Sequence, residues 1–128
     1  MSKMGSSTGL VGRSVLIVEN EPLIALELKE LFEAEGANVH VASTVTDASR
    51  LIKQTTLSAA VLDFSLIGGD TAQICRTLRA YSVPFMYYTG LDGLDEKSLA
   101  APILMKPASA VALITTIKEL LNLSTDPP

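Results

Sequence analysis

Short apolar runs rich in β-branched residues alternate along the chain with longer segments of helical periodicity. Ser14 to Val18 reads as a strand, and Pro22 opens a helix that runs to about Glu35. Its apolar positions Leu23, Leu26, Leu31 and Phe32 fall near i, i+3/i+4 spacing, and Gly36 is its stop. A second strand is expected over Asn38 to Ala42 and a second helix from about Val45 to Gln54, behind Ser43 or Thr44 as cap. The run SAAVLDF supplies a third strand that ends on Asp63, after which Gly68-Gly69 and the cap candidate Asp70 launch a helix over Thr71 to Ala80. Pro84 precedes a fourth strand, FMYY, that ends at Thr89-Gly90. The interval from Leu91 to Ala101 holds at most a short helix, Ile103 to Met105 forms a brief fifth strand, and Lys106-Pro107 leads into a last helix over Ala108 to Leu123. That helix carries a broad apolar face of Val111, Leu113, Ile114, Ile117, Leu120 and Leu121.

Five β-α units in succession predict an α/β fold with a mainly parallel sheet and helices on both faces. Right-handed crossovers leave few topologies for such a chain. The expectation is a flavodoxin-like (βα)5 doubly wound sheet of strand order 2-1-3-4-5, with a short or irregular fourth helix.

Composition narrows the function. At 128 residues, 48% of them hydrophobic and 19% charged, the chain is long enough for one well-buried core. A net charge of -4 argues against nucleic-acid binding, which needs clustered Lys and Arg. No stretch approaches the roughly 18 to 20 apolar residues that span a bilayer. The single cysteine, Cys75, excludes an internal disulfide and fits a reducing, cytoplasmic compartment. Residues 1–12, rich in Gly and Ser, read as a flexible leader, 13–123 as the domain and 124–128 as a flexible tail.

Ligands of open parallel sheets bind beyond the carboxyl ends of the strands, where the strand order reverses. At that rim the predicted strands end in Glu19-Asn20-Glu21, Asp63, Thr89 and Lys106. One polar strand end is ordinary solvation. Four with complementary chemistry form a set: oxygen ligands for a hard cation, a nucleophilic carboxylate, a hydroxyl and an ammonium.

The segments VLIVENEP, AAVLDFSL, YYTG and LMKP, in this order at these strand ends, resemble the receiver domain of bacterial two-component response regulators. The resemblance covers the whole globular part. It implies that Asp63 is the phosphoacceptor, that Thr89 contacts the phosphoryl group and that Lys106 pairs with carboxylate or phosphate. It further implies that Glu19 and Asn20, with Asp63 and the backbone carbonyl of Ser65, organise Mg²⁺, and that Lys106-Pro107 is a cis peptide. Gly90 would keep the approach open. The implied partners are a histidine kinase or phosphotransfer protein and a downstream protein target, with the face from the fourth strand to the last helix available for a homodimer.

Two departures from the family pattern stand out. The second acid of the metal-binding pair is Asn20, which keeps an oxygen ligand but drops a full charge, so Mg²⁺ should be held more weakly. Glu21 replaces that charge only if its side chain turns inward. The aromatic usually found three residues before the lysine is Ile103, so the customary threonine-aromatic switch is absent. Together with PFMYYTG and the short interval from Thr89 to Lys106, this resembles a subgroup of stand-alone receivers, although Leu91 sits where their tyrosine would be.

The expected function is therefore a single-domain response regulator that signals through protein contacts. The alternative is a pseudo-receiver, a binding module that works without phosphorylation because Asn20 weakens the metal site. An enzyme acting on phosphorylated small molecules would need a second catalytic acid near Asp63 and a substrate-binding insertion, and neither is present in the sequence. His40 reads as an ordinary strand residue and Cys75 as core packing. Gly68-Gly69 lacks the lysine of a P-loop and the third glycine of a dinucleotide fingerprint, leaving a loop-and-cap role.

Overall fold

The computed structural model describes residues 9–64, 71–90 and 93–123. Five strands, β1 (Ser14–Val18), β2 (Asn38–Ala42), β3 (Ala59–Leu62), β4 (Phe85–Thr89) and β5 (Ile103–Met105), form one sheet of order β2-β1-β3-β4-β5. Every pairing is parallel, as the β-α alternation requires. The helices are α1 (Pro22–Ala34), α2 (Val45–Gln54), α3 (Thr71–Ala80), the single-turn α4 (Glu96–Leu99) and α5 (Ala110–Leu120).

Period-two alternation divides the core between the two faces of the sheet. Leu16, Val18, Ala60, Leu62, Phe85 and Tyr87 point toward Ala48 and Ile52 of α2 and Ile74, Cys75 and Leu78 of α3. Val15, Ile17, Ala59, Val61, Met86 and Tyr88 point toward Leu28 and Phe32 of α1 and Leu113 and Ile117 of α5. Covering on both sides explains why β1, β3 and β4 read as nearly unbroken apolar runs. Thr44 is the cap of α2, accepting a hydrogen bond from the Asp47 amide at 3.1 Å, and Ser109 does the same for Ala112 at the start of α5.

Three expectations change. The last helix begins at Ala110, behind the Ser109 cap, rather than at Ala108, and ends at Leu120. On α1 the buried stripe is Ala25, Leu28 and Phe32, whereas Leu23 and Leu26 are exposed. The expected stripe followed the largest apolar side chains, and the helix is turned so that the small Ala25 meets the sheet.

The leader also gives way at its described end. Leu10 is fully buried among Val15, Phe32 and Ile117, and its amide donates to the Glu35 carbonyl at 2.8 Å. Gly36 makes room for this segment: it has φ of +95°, and a Cβ there would meet Val11 Cγ2 at 2.5 Å. The packed unit thus reaches back to Gly9 rather than starting at residue 13. Residues 1–8 and the expected tail, 124–128, lie outside the described residues, as do Gly68-Gly69 and Asp70.

Candidate functional site

The site lies at the carboxyl ends of β1, β3, β4 and β5. Parallel register aligns Val18 with Leu62, so Glu19 and Asp63, each the next residue in its chain, leave the sheet side by side. Backbone bonds fix both positions: Glu19 N donates to the Ala42 carbonyl at 2.9 Å and Asp63 N to the Val18 carbonyl at 3.0 Å. Glu19, Asp63 and Thr89 are the buried polar residues of the described chain, at 3%, 5% and 0% exposure. Strand ends that were merely solvated would be open to water.

Lys106 closes the group from the far edge. Its backbone N donates to the Thr89 carbonyl at 2.9 Å, and its Nζ donates to Glu19 Oε1 at 2.8 Å and to Asp63 Oδ2 at 3.4 Å. The Lys106-Pro107 bond is cis. Burial by itself would depress the lysine's pKa, but its hydrogen bond to Glu19 and the charges of Glu19 and Asp63 outweigh it and push the pKa up. The ammonium therefore stays charged at neutral pH.

The other oxygen of Glu19, Oε2, accepts from the Glu21 amide at 3.1 Å, so this carboxylate is held at both ends. Asn20, Glu21 and Gly90 are exposed at the mouth. A Cβ at Gly90 would meet nothing within 4 Å, which leaves the approach to Thr89 open. Ser65 falls outside the described residues.

The donor set suits a hard divalent cation: two buried carboxylates on neighbouring strand ends, with the exposed Asn20 following Glu19 in the chain. Among the described residues no group of three or more His, Cys, Asp or Glu gathers as a metal site, in keeping with an amide between Glu19 and Glu21. His40 lies in the middle of β2, away from this rim. Cys75 is buried and its Sγ is 3.1 Å from the Tyr87 hydroxyl, a packing and hydrogen-bonding role.

Sequence reasoning identified Glu19, Asp63, Thr89 and Lys106 but missed Tyr88. Its ring centroid lies 5.8 Å from Lys106 Nζ, and its hydroxyl accepts from the Ala108 amide at 3.2 Å. The signal was the Tyr87-Tyr88 pair itself, because successive strand residues face opposite sides and two adjacent rings cannot both serve one core.

Comparisons with known proteins agree with this fold. The family model described as response regulator receiver domain matches residues 15–118. The aerobic respiration control protein ArcA of Escherichia coli K12 is 29% identical over 114 residues, covering 84% of this chain and 48% of ArcA. The chain thus spans about half the length of the curated relatives it matches. Among solved structures, a response regulator receiver protein from Sinorhizobium medicae superposes with TM-score 0.78 at 24% identity, covering 89% of this chain and 97% of the other. The receiver domain of sensor histidine kinase PA1611 from Pseudomonas aeruginosa, with a magnesium ion in its active site cleft, superposes with TM-score 0.75 at 21% identity, covering 88% and 99%.

Proposed function

Because the chain belongs to the response regulator receiver domain family of two-component signalling, we propose that it accepts a phosphoryl group on Asp63 from a histidine kinase or phosphotransfer protein and signals through protein contacts. The observation that carries this reading is the convergence of Glu19, Asp63 and Lys106 at one buried strand-end site.

In the transfer, a carboxylate oxygen of Asp63 attacks the phosphorus of a phosphohistidine. The O–P bond forms as the P–N bond breaks, and the bonding pair returns to the imidazole, which then takes a proton. Charge on the equatorial oxygens is met by the Lys106 ammonium and the Thr89 hydroxyl. Lys106 sits closer to Glu19 than to Asp63, so swinging toward the phosphoryl group loosens its bond to Glu19.

Glu19, Asp63, the Asn20 amide oxygen and the Ser65 carbonyl would hold Mg²⁺, whose charge screens the incoming phosphoryl group when bound. With Asn20 supplying no charge, binding is weaker than in an acid-paired site. On this reading the chain catalyses only its own phosphorylation and dephosphorylation, works in the cytoplasm and signals to protein partners rather than to nucleic acid or membrane. No described helix is long and apolar enough to cross a membrane. Exposed Met105 on β5 and Val111 on α5 support an output or homodimer surface over the β4 to α5 face.

A second reading, a pseudo-receiver that signals unphosphorylated, is favoured by Asn20 and by the Lys106–Glu19 pairing, which neutralises Glu19 with the protein's own charge. Intact-mass spectrometry after incubation with a small acyl phosphate and Mg²⁺ separates the two. The receiver reading expects a one-phosphoryl mass gain that Asp63→Asn abolishes; no gain at any Mg²⁺ concentration leaves the pseudo-receiver.

A further inference from the structure

Two consecutive residues of β4 grip the turn that carries Lys106. Thr89 holds it from one side by accepting the Lys106 backbone N–H at 2.9 Å. Tyr88 holds it from the other by accepting the Ala108 N–H at its hydroxyl, 3.2 Å away. The same ring faces the Lys106 ammonium at 5.8 Å, within cation–π range. We propose that Tyr88 is a positioning residue that sets the reach of Lys106 toward Asp63; this rests on the phosphoryl-transfer reading above.

Tyr88 stands on the opposite side of the sheet from Ile103. Ile103 packs with the α2–α3 side of the sheet, whereas Tyr88 belongs to the α1–α5 side, beside Leu104 with which it pairs in register. The aromatic contact with the lysine therefore comes from the α1–α5 face, and from a buried ring. Tyr88 is 7% exposed. A cleft of about 210 Å³ lined by Glu27, Leu31, Tyr88, Ala108 and Leu113 opens beside it. Water entering there can bond Ala108 N–H in place of the hydroxyl, so loss of the phenol loosens the turn without leaving a dry, unpaired amide.

The test compares wild type with Tyr88→Phe, Tyr88→Leu and, as a control for core damage on the same face, Met86→Leu. Phosphorylation rate at saturating Mg²⁺, amide exchange at Ala108 and the NMR shift of the Lys106 ε-methylene are measured. Tyr88→Phe is expected to speed Ala108 exchange and slow phosphorylation about three- to tenfold, the effect of one hydrogen bond, while the ring-current shift on Lys106 persists. Tyr88→Leu should remove that shift and slow the reaction further. Met86→Leu should change neither the rate nor the shift. Wild-type Ala108 exchange in Tyr88→Phe, or an unchanged Lys106 shift in Tyr88→Leu, overturns the proposal, as does an unchanged phosphorylation rate in both. If wild type takes no phosphoryl group the receiver reading fails instead, and the two NMR measurements alone decide whether Tyr88 positions Lys106.

Discussion

Lys106 Nζ donates to Glu19 Oε1 at 2.8 Å, a shorter contact than its 3.4 Å reach to Asp63. The lysine is thus paired first with Glu19 and second with Asp63, and the ammonium balances two buried carboxylates.

Removing that ammonium should cost stability chiefly when no divalent cation is present. Breaking a fully buried pair costs roughly 3–5 kcal/mol. The Lys106 side chain keeps 17% exposure, so Lys106→Met should lose less, about 2 kcal/mol, in Mg²⁺-free urea denaturation. Added Mg²⁺ should recover more stability in the variant than in wild type, because it takes over the missing charge. Equal gains in the two proteins would contradict this.

The two apolar stripes of α1 should respond very differently to truncation. Leu28→Ala removes a core side chain and is expected to cost about 2–5 kcal/mol. Leu23→Ala and Leu26→Ala, at 74% and 49% exposure, should stay within about 0.5 kcal/mol. Leu10→Ala belongs with Leu28, since Leu10 is fully buried under α1 and α5. Chemical denaturation of the four variants checks the ordering.

Tyr87 makes the fold sensitive to alkali. Burial, and then the hydrogen bond with Cys75, push its pKa far above the ordinary 10.0. A raised acid pKa means that the unfolded chain releases this proton first, so the contribution is whole below about pH 10 and is lost as pH rises through the interval above it. Tyrosinate absorbance should show Tyr87 ionising only with unfolding. Tyr87→Phe should remove that step and flatten the alkaline loss of stability.

Strand order, the single-turn α4 and the rim residues Glu19, Asp63, Thr89 and Lys106 were legible in the sequence because each rests on local signals: β-branched runs, glycine and proline stops, and a charge ending an apolar run. The face of α1 was not, since side-chain size pointed to Leu23 and Leu26 while packing against the sheet selected Ala25. Leu10 was hidden by its Gly- and Ser-rich surroundings, and only its tertiary contact with Glu35 and Phe32 reveals it. The direction of Lys106 was equally beyond the sequence. Its preference for Glu19 depends on a turn held between Thr89 and Tyr88, residues whose neighbourhood with it is set by strand pairing.

The central claim, that Asp63 is phosphorylated through a metal site weakened by Asn20, is tested most directly by the Mg²⁺ dependence of Asp63 phosphorylation in wild type and Asn20→Asp. Even at the dielectric of bulk water, one restored charge about 4 Å from a divalent ion is worth about 2 kcal/mol, which is more than tenfold in ion affinity. The expected result is phosphorylation of both proteins, with half-maximal rate at Mg²⁺ at least about tenfold lower in the variant. Phosphorylation of Asn20→Asp alone, with wild type silent at every Mg²⁺ concentration, would contradict the account.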